Sequence, residues 1–129
     1  MANPNIVSVA SIYGESIGET LTTTVGTDIM TVLANKLVKI NFISVTNTHA
    51  TAAITVTVGV RKVDFTSAGI ASGEDNAGIF LLASTVNLPA DDVLIVVDKP
   101  IYLMETDILE GGASATTADI FISYEVISV

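Results

Sequence analysis

Val, Ile and Thr together supply 47 of the 129 residues (16, 15 and 16), and through much of the chain they recur at every second position. Two heavy atoms on Cβ leave a side chain little rotamer freedom in a helix, whereas the same branching fits a pleated surface. This load therefore commits the chain to sheet. Its clearest instance is "AAITVTVGVRKV" (Ala52–Val63): Ile54, Val56, Val58 and Val60 share one face, with Thr55, Thr57, Gly59 and Arg61 opposite. Period-2 alternation of this kind marks a strand with one buried and one wet side.

Turn signals recur at the spacing of an all-β sandwich or barrel. An opening strand runs from Asn5, and Gly14–Gly18 breaks it. Ile17, Leu21 and Val25 then share a buried parity, and Gly26-Thr27-Asp28 turns. Asp28–Leu37 carries both helical spacing and Thr31, and reads as extended. "KLVKINFISVTN" (Lys36–Asn47) switches parity from Val38, Ile40 and Phe42 to Ile43 and Val45, the mark of a β-bulge. With Ala52–Val63 it forms the best hairpin candidate. Thr66–Gly78 reads as an exposed loop. Ile79–Leu88 and Asp92–Val97 flank Pro89-Ala90-Asp91, and their continuous apolar runs suggest strands covered on both sides. Lys99–Gly112 holds two short strands joined by Glu105-Thr106-Asp107, and Ala118–Ser128 closes the chain with Ile120, Ile122, Tyr124 and Val126 on one face. The expected fold is all-β: one domain over residues 1–129, an antiparallel two-sheet β-sandwich of about eight to ten strands, with a jelly roll as one form of it.

The net charge of −9 and only five Lys and Arg argue against nucleic acid and against an anionic membrane. The chain has no cysteine, hence no disulfide, thiolate zinc site or Cys nucleophile. No basic and apolar leader and no apolar run of membrane-spanning length is visible, so the expected place of synthesis is a cytoplasm. Charged residues are 15% of the chain, low for a monomer that must stay soluble, which hints that other chains cover part of its surface.

Catalytic patterns are missing. His49 stands alone in the loop "NTHATA", and no Gly-x-Ser-x-Gly elbow accompanies it. Glu105 with Asp107, or Asp91 with Asp98, could pair as glycosidase carboxylates. The seven aromatics, however, read mostly as core rather than as sugar platforms. Asp91-Asp92 and Glu105-x-Asp107 lie in turns, where calcium ligands gather, but turn carboxylates are mostly solvated and no Asp-x-Asp-x-Asp-Gly loop is present. Gly111 and Gly112 read as a flexible strand connection rather than a phosphate loop. No catalytic residue, metal ligand or cofactor is expected.

"ANPNIVSVASIYGES" at the start and "ISYEVIS" at the end resemble small structural proteins of tailed bacteriophages, especially those of marine cyanobacterial phages. "KLVKINFISVTNTHATAAITVTVGV" and "LPADDVLIVVDKPIYLMETDILEGGAS" are similar to them too. The resemblance implies a non-enzymatic virion component. The preferred role is a capsid decoration (cement) protein, a homo-oligomer and by expectation a trimer, bound to the major capsid protein on the outside of the shell. A neck, tail or fibre-associated piece, or a lectin-like receptor-binding module, is the alternative. Residues 1–13 stand out as a partner-contacting strand or arm, because both of their faces are half apolar. Ile6, Val7, Ile12 and Tyr13 are its expected contact residues. A core strand is the equal alternative.

Overall fold

The structure is a computed structural model that describes residues 9–63 and 77–128. Nine strands stand among them: β1 (Ser11–Thr20), β2 (Thr27–Thr31), β3 (Lys36–Asn47), β4 (Ile54–Lys62), β5 (Gly78–Leu88), β6 (Val93–Val97), β7 (Ile101–Leu103), β8 (Ile108–Ala113) and β9 (Ala118–Ser128). They form two antiparallel sheets, one ordered β1-β9-β3-β6 with β7 also on β3, the other β2-β8-β4-β5. β1 lies on β9, β2 on β8, β3 on β6 and β7, and β4 on β5, so the pairs nest one inside the next. That nesting is the strand order of a jelly roll, the sandwich form the β-branched alternation allowed.

The core lies between the sheets. Ile40, Ile43, Val45, Ile120 and Ile122 of the first face Val56, Val58 and Leu109 of the second, all essentially without solvent contact. Each such side chain contributes roughly 1.5–3 kcal/mol on burial. The parity switch in β3 is a bulge, as its sequence required: the register against β9 slips between Ile40 and Phe42, leaving Asn41 extra and turning Ile43 and Val45 inward. β6 and β7 are two pieces of one edge along β3, interrupted at Asp98-Lys99-Pro100. Proline there lacks the N–H a ladder needs.

Several expectations are corrected. β3 and β4 are not a hairpin: they lie in opposite sheets, because the core-facing stripes of both strands must meet across the sandwich. Gly14–Gly18 does not break a strand, since β1 pairs with β9 continuously from Ser11 to Thr20. Leu21 is buried and Ile17 half-buried, but Val25, beyond the strand, is exposed; the turn falls at Val25-Gly26, and Thr27 already opens β2. Asp28–Leu37 is extended as expected, a strand to Thr31 followed by a turn at Ala34-Asn35. β5 and β6 are not covered on both sides, because each is the outer strand of its sheet. Gly111 and Gly112 lie within β8, a central strand, not in a flexible connection. A Cβ on Gly112 would stand 2.6 Å from the Thr24 carbonyl oxygen and 2.7 Å from the Val25 Cα, so only glycine lets the Thr22–Thr27 loop cross β8 this closely. The loop expected at Thr66–Gly78 lies outside the described residues except for its last two positions.

Candidate interaction surfaces

The acidic turns have structural roles. Asp107 is buried, and its Oδ2 accepts from Lys62 Nζ at 2.7 Å and from the Met104 N–H at 2.9 Å. Glu105, also buried, accepts the Asn35 N–H at 2.7 Å, where Asn35 takes a left-handed φ of 62°. The sequence suggested solvated turn carboxylates, and these two are buried instead. Glu105 holds Asn35 against the β7–β8 turn, Asp107 ties that turn to Lys62 of β4, and Val32 is joined to the turn through the backbone of Thr106 and Asp107. Among the described residues no group of three or more His, Cys, Asp or Glu is placed to hold a metal ion.

His49 likewise serves its own loop. Its Nδ1 accepts the N–H groups of Thr51 at 3.1 Å and Ala52 at 2.9 Å. Beside it, Asn47 is fully buried. Its Nδ2 donates to the carbonyls of Ala52, Leu88 and Pro89, while its Oδ1 accepts from the His49 N–H and the Thr117 hydroxyl. One side chain thus ties together three loops at one end of the sandwich. Sequence reasoning passed over it as a loop polar residue, and nothing local distinguishes it from its neighbours.

Of the expected contact residues, Ile12 and Tyr13 stand on the edge strand β1 and are 56% and 60% exposed. They lie opposite Ile127 and Val126 of β9, so their side chains point to opposite faces of the sheet. Ile6 and Val7 lie outside the described residues. The boundary drawn after residue 13 falls inside β1.

Two further features were not legible. The first is aromatic placement: Tyr13, Phe80, Tyr102 and Phe121 are each 48–60% exposed, so these rings are not core as expected, and Tyr124 is buried. Burial first, then donation of its hydroxyl to Glu15 Oε2 at 3.0 Å and the charge of that carboxylate, hold the Tyr124 phenol above its ordinary value of 10.0. On the outer face of the first sheet, Gly18, Thr46, Thr48, Asp119 and Phe121 line a shallow trough. The second feature is β5, whose Ile79, Phe80, Leu81 and Leu82 are 40–55% exposed. Leu81 lies over Gly59, where a Cβ would meet its Cδ2 at 2.8 Å. An uncharged apolar run reads equally as a buried central strand or as a sticky edge, and only topology separates the two.

No protein-family model, no curated protein and no solved structure matches the chain. What fold and surface define is an all-β, antiparallel two-sheet sandwich that carries apolar side chains on its edge strands. No helix among the described residues is long and apolar enough to cross a membrane.

Proposed function

We propose that this chain is a non-enzymatic structural component of a bacteriophage particle, a capsid decoration protein that binds the outside of the major capsid protein shell and stabilises it. The resemblance of both termini to phage virion proteins supports this reading. The observation that carries it is where the exposed apolar side chains stand. Ile12 and Tyr13 on β1, and Ile79 to Leu82 on β5, lie along the lateral edges of the sandwich, open to a neighbouring chain, instead of converging on an enclosed cavity. A shell protein bound through several such patches at once needs only weak individual contacts, because each additional contact forms at high effective concentration. The −9 charge favours a protein partner over the packaged nucleic acid.

Quantitative mass spectrometry of purified particles tests the proposal. Hundreds of copies in simple ratio to the major capsid protein are expected. A handful to a few dozen would assign the chain to the neck, tail or fibres, and absence from particles would remove it from the virion altogether. One observation favours a second reading, a lectin-like receptor-binding sandwich: Phe121 stands half-exposed in the trough beside Thr46, Thr48 and Asp119, an aromatic face with polar neighbours. A glycan array with a response lost in Phe121→Ala would favour that reading.

A further inference from the structure

The two lateral sides of the sandwich treat their edges differently. On one side stand β1 and β2, which carry Glu15, Glu19 and Asp28. Charges on an edge strand keep other strands from adding to it. On the other side stand β5 and the edge made by β6 and β7; that edge is short and interrupted at Asp98-Lys99-Pro100, whereas β5, GIFLLASTVNL, runs 11 residues with no charge and no proline. The two register shifts of β5, opposite Val56–Val58 and Val58–Gly59, together with the left-handed Thr85 (φ 49°) and the positive φ of Gly78 (140°), leave Ile79–Leu81 as a regular stretch with no described strand paired on its outer side. That stretch is where Ile79, Phe80 and Leu81 are exposed, with Leu82 following and Val63, 42% exposed, at the end of the paired strand.

We propose that β5 is a self-association edge, on which the β5 strand of a second copy of this chain pairs antiparallel about a twofold axis. Three observations select that occupant. The unpaired side of an edge ladder calls for another extended strand. A twofold contact needs one self-complementary patch only, because each residue meets its own counterpart's neighbour. Finally, two chains of charge −9 repel wherever carboxylates meet, and pairing β5 with β5 sets two uncharged strands together. The exposed Asp91 and Asp92 that follow the strand then fall at opposite ends of the pair. Half-exposed side chains at five positions, with the strand backbone, would bury roughly 500 Å² per copy, roughly 1,000 Å² in total, the low end for a specific contact. The association is therefore weak and concentration-dependent. It draws on the same β5 side chains as the virion proposal but its test needs no particle, and its twofold geometry departs from the trimer that the phage resemblance implies.

Sedimentation equilibrium of the full chain tests it. A monomer–dimer equilibrium is expected, with Kd on the order of micromolar to hundreds of micromolar. Leu81→Lys should weaken it at least about tenfold, since a lysine is the usual device for blocking an edge. Leu33→Lys, 68% exposed in the β2–β3 turn, should leave it unchanged. Hydrogen exchange on the unaltered protein supplies a second readout, independent of how any variant folds: the amides of Ile79–Leu82 that do not already bond to β4, every second one, should become protected as concentration rises. A chain that stays monomeric at about 500 µM, a trimer, a dimer broken by Leu33→Lys and not by Leu81→Lys, or outward β5 amides indifferent to concentration would each overturn the proposal.

Discussion

Asn47 is fully buried and gives both ends of its side chain to groups of three loops, the buried Leu88 carbonyl among them. Replacing it with alanine orphans the Ala52, Leu88 and Pro89 carbonyls together with the His49 amide. Several unsatisfied groups at one site cost more than the net worth of the bonds lost, so Asn47→Ala should destabilise the fold by about 3 kcal/mol in urea unfolding. Tyr124 makes a pH-dependent contribution with a definite sign. Its folded pKa is raised, so the fold favours the protonated phenol. That contribution is fully present below pH 10.0, the unfolded value, and is lost as pH rises through the raised folded value. Thermal melts across the alkaline range should show this loss in the native protein. In Tyr124→Phe they should show less of it, and below pH 10.0 the variant should be less stable by about 1 kcal/mol for the lost hydrogen bond to Glu15.

Among the elements, β8 has the least room to change. Gly112 lies under the backbone of Thr24 and Val25, which cannot swing aside as a side chain could. Gly112→Ala should therefore destabilise by about 2 kcal/mol. Gly26→Ala, with nothing within 4 Å of the new methyl, should shift the unfolding midpoint little, by less than about 0.5 kcal/mol. The strands themselves were largely legible in the sequence, because alternation is local: β4, β9 and even the bulge in β3 follow from which residues are branched and where the parity turns. Pairing partners were not legible. β3 and β4 are neighbours in sequence and separated in space, and no residue in either announces that β9 and β8 will come between β1, β2 and their sheets. The apolar edge at β5 was hidden for the same reason. The run Ile79–Leu82 specifies a strand, while its exposure depends on β4 being the partner on one side and no described strand pairing on the other. Of the four expected contact residues, Ile12 and Tyr13 are exposed on β1, and Ile6 and Val7 lie outside the described residues.

At the scale of the whole molecule, almost every strand contact joins residues distant in sequence, the extreme being Ser11 opposite Ser128. Closing such loops must precede any reward from pairing, so refolding should be slow for a chain of this size, roughly in the millisecond-to-second range by stopped-flow fluorescence or circular dichroism. β9 lies between β1 and β3, and β8 between β2 and β4. A chain ending at Asp107 should therefore show no cooperative unfolding transition at all, rather than a weakened one. The same arrangement bears on how the protein is made. Ribosomes deliver the chain from its N-terminal side at about 5–20 residues per second, so β1 waits roughly 5 to 22 s, and β4 roughly 3 to 13 s, before synthesis reaches the end of β9. Through that interval β-prone segments with no partner strand are exposed together in one nascent chain, and they must be kept from pairing wrongly until β8 and β9 emerge.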